Sequence, residues 1–341
     1  MKDEKMKVCK KCVLPESVPS SRIDKSGLCA YCRQFKSEEI WWEERQDYKR
    51  RFEAILQELV PARGPYDVLV AYSGGKDSTF TLAVLKKVYG LRVLAMTFDH
   101  GFVSTYAIEN IKRVVEALGI DHLSLKPNFQ LMQKVFRYSI EKSFHPSKAL
   151  ERASSICNTC MGLVKFALLR TAIEKGIPLV GYGWSPGQAP LKSSLVQNTG
   201  ALLRKTQELF LRPLEAIGGS AIRAFFLDEW HLEKNRIPYN VNPLAFLPYS
   251  EAEIYNNIIK LGWIPPKDTD PNSTNCLLNA FANDLHLAQF GYHPYAMELS
   301  ELVREGIMKR EEALQRLSQP SQPEVIAFVK AKLGLWPQEV G

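Results

Sequence analysis

The chain has 341 residues, 45% hydrophobic and 24% charged, a balance that excludes long disordered or low-complexity regions and, at this length, predicts one large domain with smaller attachments. A formal net charge of +7 suits a phosphorylated ligand or a nucleic acid, and equally a mildly basic solvated surface. No apolar run reaches the roughly 20 residues that span a bilayer, and the start MKDEKMKVCKKC lacks the apolar segment of a secretion signal, so a cytoplasmic protein without membrane contact is expected.

Residues 1–36 are rich in turn formers and carry Cys9-x-x-Cys12 and Cys29-x-x-Cys32, with sixteen residues between the pairs. That is metal-ligand spacing, not a disulfide framework, and it predicts a structural knuckle holding Zn²⁺ in tetrahedral S₄ coordination, with rubredoxin-like iron as the rival occupant. So few apolar residues surround it that the metal must supply much of its folding energy. Residues 37–62 carry charged and apolar positions at helical spacing and predict a linking helix. From 63 to 215, strand-like runs (DVLVAYS, RVLAMTFD, HLSLKP, PLVGYG) alternate with helical ones. This predicts an α/β domain with an open parallel sheet flanked by helices. Residues 216–341 read as mainly helical, with SEAEIYNNIIKLG and AMELSELVREGIMKREEALQRL amphipathic and IPPKDTDPNSTN a loop between them.

The most informative stretch is SGGKDS, Ser73 to Ser78, between a buried strand and a helix. Gly74 and Gly75 let the backbone approach a ligand closely, and the unpaired N–H groups of the first helical turn point at it. Lys76 adds positive charge, while Ser73 and Ser78 offer hydroxyls. Asp77 would repel a phosphate unless it holds Mg²⁺ or orients the loop. The P-loop pattern GxxxxGK[ST] is absent. Further along, VGYGW ends a later strand where ligands of open α/β sheets lie, so Gly181 and Gly183 are candidates to close over a nucleotide.

A second set of cysteines differs from the first. Cys157-x-x-Cys160 has one distant companion, Cys276 in STNCLLN. Three thiolates suit a cubane iron–sulfur cluster with one iron left free for an exogenous atom. The alternative is a redox dithiol that forms a disulfide or persulfide, with Cys276 a small buried hydrophobe.

Strand-SGGKDS-helix resembles the PP-loop ATP pyrophosphatase superfamily, in which this loop grips the β,γ-diphosphate of ATP while the α-phosphorus is attacked. In families this chain resembles, the strand end equivalent to MTFDHG lies against adenine, which makes Thr97, Phe98 and Asp99 cofactor-binding candidates; Asp99 and His100 could instead cap the loop. CNTCMGLVKFALLRTAIEKG resembles the cysteine pair and basic helix of iron–sulfur tRNA thiolation enzymes of that superfamily, which supply a third cysteine much later. By that resemblance Cys157, Cys160 and Cys276 would ligate a [4Fe–4S] cluster and sulfur would be the nucleophile. The knuckle and the segments NPLAFLPYSEAEIYNNIIKLGW and LSELVREGIMKREEALQRL resemble PP-loop N-acetyl sugar amidotransferases, in which ammonia from a separate glutaminase is the nucleophile. The cysteine pair departs from the amidotransferases, and GYGWSPGQAP departs from the histidine and acidic cluster of the thiolation enzymes.

The reading carried forward is an ATP-dependent sulfur transferase in which Lys76 and Asp77 serve the adenylation and Cys157, Cys160 and Cys276 hold the cluster. Its cofactors would be ATP, Mg²⁺, Zn²⁺ and [4Fe–4S], its acceptor a tRNA or a small molecule, and its partner a sulfur donor protein. Amidation of a nucleotide-linked sugar and a nucleotide-binding scaffold are the other two readings, and a homodimer through the linking helix stays open. Lys165, Lys192, Arg204, Lys205 and Arg212 fit a phosphorylated substrate or a solvated face, and Trp41, Trp42 and Trp184 read as packing.

Overall fold

The computed structural model describes residues 7–142 and 144–335; residues 1–6 of the expected knuckle and 336–341 of the C-terminal region lie outside them. In chain order the elements are α1 (Ala30–Gln34), α2 (Glu38–Leu59), β1 (Val68–Ala71), α3 (Lys76–Ala83), β2 (Val93–Phe98), α4 (Thr105–Leu118), β3 (Asp121–Leu125), α5 (Phe129–Glu141), α6 (Ser147–Leu150) and α7 (Ser155–Glu174). Then come β4 (Leu179–Gly181), β5 (Leu195–Gln197), α8 (Gly200–Gly218), α9 (Glu229–Leu232), β6 (Tyr239–Val241), α10 (Glu251–Ile259), α11 (Leu278–Phe290), α12 (Ala296–Arg304), α13 (Arg310–Leu317) and α14 (Pro323–Leu333).

The strands form one six-stranded sheet in the order β3-β2-β1-β4-β6-β5. All pairings are parallel except β5 with β6. The sequence-based expectation of an open α/β sheet with a cysteine knuckle and a helical C-terminal region holds, with one antiparallel edge. The sheet also continues beyond residue 215, where the sequence reading ended the domain, because β6 slots between β4 and β5. A three-residue strand leaves no apolar run long enough to register in the sequence.

Successive side chains of a strand point to opposite faces, so β1 divides its residues between two cores. Leu69 packs with α5 and α7 through Met132, Phe136, Leu163 and Phe166. Val68 and Val70 pack on the other face with Phe52 of α2, Leu82 of α3, Val114 of α4 and Ile254 of α10. Burial on both faces is why these strands read as continuous apolar runs. α7 is long and apolar enough to cross a membrane by composition, yet residues such as Leu163, Phe166, Leu169 and Ala172 are buried in the first core, so it is a core helix.

From β1 the chain builds outward through β2 to β3, and β4 then pairs on the other side of β1. That reversal opens a crevice at the carboxyl ends of β1 and β4, where open α/β sheets bind ligands. Two smaller cores lie apart from the sheet: the four knuckle cysteines pack with Tyr292, Ala296 and Met297, and Val13 packs with Leu299, Leu302 and Ala313.

Candidate active site

A cavity of about 500 Å³ occupies the crevice, lined among others by Ser73, Gly75, Asp77 and Ser78, by Thr97, Phe98 and His100, and by Tyr182, Gly183 and Trp184. Its size suits a nucleotide-sized ligand. α3 begins here with Gly75 as its N-cap, a residue with no side chain to occupy the first-turn amides. The turn therefore presents backbone N–H groups and the positive end of the helix dipole, a cradle for an anion. Two close approaches need glycine. At Gly74 (φ +78) a Cβ would lie 2.4 Å from the Ala107 carbonyl oxygen, and at Gly183 it would lie 2.5 Å from Ser78 Cα. Gly183 thus lets the β4 loop rest on the cradle. The hydroxyls of Ser73 and Ser78 are 3.0 Å apart.

Lys76 is not in the cavity wall. Its ammonium donates to Asp77 Oδ2 at 2.8 Å and Tyr249 Oη at 2.9 Å, and pairs with Glu251 at 3.2 Å. Burial disfavours its charge, but Asp77 first, then Tyr249 and Glu251, outweigh that and hold its pKa well above the ordinary lysine value. Tyr249 in turn donates to Asp77 Oδ1 at 2.9 Å. Thr97 and Phe98 line the cavity, and the Thr97 hydroxyl sits 2.6 Å from the Tyr72 carbonyl. Besides Lys76, three candidates stand off the wall: Gly74, Asp99 and Gly181. Asp99 accepts from the Gly101 N–H and pairs with Lys126 at 3.0 Å, which is the loop-capping alternative. Gly181 is a strand residue packed on Val68, Val70 and Leu85.

The three later cysteines all reach this cavity. Cys157 and Cys160 lie one turn apart in the first turns of α7, not ahead of a helix as the sequence suggested, because Ser154 accepts from the Cys157 N–H as N-cap. Cys276 is brought in by the backbone: Ser104 N–H donates to the Asn275 carbonyl, Leu277 N–H to the Phe102 carbonyl, and Val103 bridges Cys276. No disulfide forms. Burial raises all three thiols, Cys276 to about 12. The charges of Cys276 and Cys157 raise Cys160 further, so the three sulfurs lie within electrostatic reach of one another. Thiolates here therefore need a cation. Among the described residues only the knuckle sulfurs form a cysteine set all within 4.8 Å of one another. Sulfurs on a single zinc at ~2.3 Å can be at most about 4.6 Å apart, and the three cavity cysteines are not all that close.

The knuckle fits a single ion. Cys9 Sγ is 3.7 Å from Cys32 Sγ, as Cys12 Sγ is from Cys29 Sγ, close to the roughly 3.8 Å of tetrahedral zinc thiolates. The Cys29 N–H donates to Cys9 Sγ at 3.2 Å and the Arg304 guanidinium to Cys12 Sγ at 3.7 Å. Such donors suit negatively charged sulfur.

Sequence reasoning missed four residues contributed from far along the chain. Thr274 Oγ1 accepts from the Lys76 N–H, Tyr249 and Glu251 hold the lysine, and Glu298 of α12 lines the cavity. The carboxyl of Glu298 accepts from Ser185 and is raised to about 7, chiefly by burial. The one local signal was Ser250-x-x-Glu253, a helix-start pattern that marks α10 but says nothing of the lysine.

Comparison with known proteins gives the following likenesses. A family model described as queuosine biosynthesis protein QueC matches residues 67–159, which run from β1 through the cradle to Cys157 in α7 and end before Cys160. The uncharacterized protein MJ1599 of Methanocaldococcus jannaschii is 25% identical over 287 residues, 84% of this chain and 85% of that protein. The tRNA-specific 2-thiouridylase MnmA of Rhodopseudomonas palustris is 35% identical over 143 residues, 38% of this chain and 34% of the enzyme. This chain thus spans a third of the length of that thiouridylase. Among solved structures, the U34-tRNA thiolase NcsA from Methanococcus maripaludis with its [4Fe-4S] cluster is 18% identical, covers 97% of this chain and 98% of that one, and has a TM-score of 0.35.

Proposed function

The chain belongs to the PP-loop ATP pyrophosphatase superfamily, and on that premise we propose that it is an ATP-dependent sulfur transferase. What supports sulfur as the nucleophile is one observation: cysteines more than a hundred residues apart in sequence line the cavity that also holds the SGGKDS turn. In this reading an acceptor oxygen attacks the α-phosphorus of ATP and pyrophosphate leaves. A sulfide then bonds to the activated carbon as its C–O bond breaks, and the oxygen departs with AMP.

The amides of the α3 N-terminus and the hydroxyls of Ser73 and Ser78 bind the diphosphate and stabilise the charge that develops on it. Asp77 is the carboxylate on that wall that would hold Mg²⁺. Thr97 and Phe98 face the base. Cys157, Cys160 and Cys276 would hold a [4Fe–4S] cluster, which would supply a binding place for sulfide. The four-thiolate knuckle would hold Zn²⁺ as a structural ion. The acceptor is a tRNA, the substrate class in the thiouridylases' name, or a small carbonyl compound, and a sulfur donor protein would feed the site.

The test is protein purified without oxygen. About four irons per chain beyond the knuckle metal, with AMP and pyrophosphate formed in equal amounts only when acceptor and sulfide are both present, is the expected result. Colourless protein holding zinc alone, with product formed from ammonia, would replace this reading with amidation. No pyrophosphate under any acceptor would leave only a nucleotide-binding scaffold.

A further inference from the structure

The three cavity sulfurs are not equivalent. The His100 ring is buried between Phe102, stacked at 6.3 Å, and Phe136, edge-on at 5.9 Å. Its Nδ1 accepts the Phe102 N–H at 3.2 Å. A ring whose Nδ1 accepts carries its proton on Nε2. That Nε2 lies 3.8 Å from Cys276 Sγ, within reach of an N–H···S hydrogen bond.

Asn279 repeats the arrangement on a second sulfur. Its Oδ1 accepts from Asn283 Nδ2 at 3.0 Å and from the Tyr295 hydroxyl at 3.4 Å, which fixes which end of the amide is oxygen. The NH₂ end is therefore the one 3.8 Å from Cys157 Sγ. Among the described residues no side-chain donor reaches Cys160.

We propose that His100 and Asn279 are positioning residues of the cavity metal centre, whose N–H groups stabilise Cys276 and Cys157 as thiolates and leave Cys160 the most electron-rich ligand. The proposal rests on the cluster reading above and goes beyond it by assigning how this chain tunes the centre. Hydrogen bonds to ligating sulfur are one of the levers that set cluster potential, because each withdraws electron density and favours the reduced state. The three thiolates that would hold the centre are then unequal, with the least stabilised, Cys160, on α7.

The experiment compares the wild-type chain with His100→Leu, His100→Gln and Asn279→Leu, each reconstituted anaerobically with iron and sulfide. Iron content is counted, the reduction potential is titrated and the spectrum of the reduced cluster is recorded. Leucine removes the N–H; the glutamine amide can return one near the Nε2 position. The expected result is a shift of potential to more negative values in His100→Leu and Asn279→Leu, largely reversed in His100→Gln. Loss of iron in His100→Leu that glutamine restores supports the proposal equally. Full iron with an unshifted potential in both leucine variants overturns it while leaving the cluster reading intact, as does iron loss that glutamine does not restore. A wild-type chain that takes up no iron fails the cluster reading itself, and this inference with it.

Discussion

At Gly183 a single hydrogen decides whether the β4 loop can rest on the phosphate cradle. A Cβ there would approach Ser78 Cα at 2.5 Å, Ser78 N at 2.7 Å and the Asp77 carbonyl at 2.9 Å, and all three are backbone atoms that cannot swing away. Gly183→Ala is therefore expected to cost about 1–3 kcal/mol of stability by forced backbone shift and to weaken ATP binding more than acceptor binding. Urea unfolding and nucleotide titration check the two parts. Glu298 allows a prediction with a sign. Burial raises its carboxyl from 4.5 to about 7, with Ser185, Lys76 and Gln188 opposing and Asp77 adding to it. Between those values the unfolded chain has released the proton that the folded chain keeps, so stability falls as pH rises through this window and is level above it. Glu298→Gln removes that dependence. It should gain on the wild type by up to about 3 kcal/mol between pH 4.5 and 7, read from urea midpoints across the range. A constant difference at all pH values would mean the carboxyl titrates normally. Glu298 and Tyr249 were illegible beforehand for one reason: Tyr249 meets Lys76 across 173 residues, and no local pattern encodes a partner that distant. SGGKDS was legible because strand, turn and helix start are contiguous.

At the scale of elements, α12 joins two sites that the sequence kept apart. Ala296 and Met297 pack against the knuckle cysteines while Tyr295 and Glu298 line the cavity. Its end carries Arg304, buried against Cys12 Sγ, and Glu305, held at 2.7 Å by Arg45 of α2. A divalent ion on the four buried thiolates would carry net negative charge in a desolvated place, and the Arg304 guanidinium beside Cys12 would partly offset it. Arg304→Ala is expected to lower the knuckle's metal affinity 10–100-fold, in the manner of outer-shell partners generally, as measured by competition with a chromogenic chelator. Arg304→Lys keeps the charge and should fall between. AMELSELVREGIMKREEALQRL reads as one amphipathic run, yet it folds as α12 and α13 with a break at Gly306, which adopts φ +68. Periodicity survives such a break when both helices face the same core, and a glycine inside a helical pattern is only a weak stop signal. The cysteine pair shows the opposite limit. Spacing of i and i+3 suits a knuckle turn and a helix face equally, and Ser154 as N-cap decides for the helix.

Across the whole molecule, topology follows from which apolar runs can be covered on both sides. β1 and β2 were readable as long buried runs, and the helices between strands as their covers. β5 and β6 were not readable, because each is three residues long and they are held by pairing with neighbours, not by their own pattern. The same division predicts how the molecule comes apart. The two large cores on the faces of the sheet contain no knuckle cysteine, whereas Cys9, Cys12, Cys29 and Cys32 make up much of the third. A structural zinc site of this kind contributes about 10–16 kcal/mol to the folding of an isolated finger peptide, far more than so small an apolar cluster can replace. The cavity cysteines instead sit in helix and loop already fixed by the first core and by backbone pairing to the β2–α4 loop. Removing metal from the two sites should therefore have unequal consequences. Chelation of the knuckle ion is expected to split thermal unfolding into an early step, with loss of the α12 and α13 packing, and a later step for the sheet. Bleaching an iron centre should leave the unfolding curve nearly unchanged while the colour is lost. Calorimetry with circular dichroism separates the cases, and a single transition that moves as a unit on chelation would show that knuckle and sheet fold as one cooperative body.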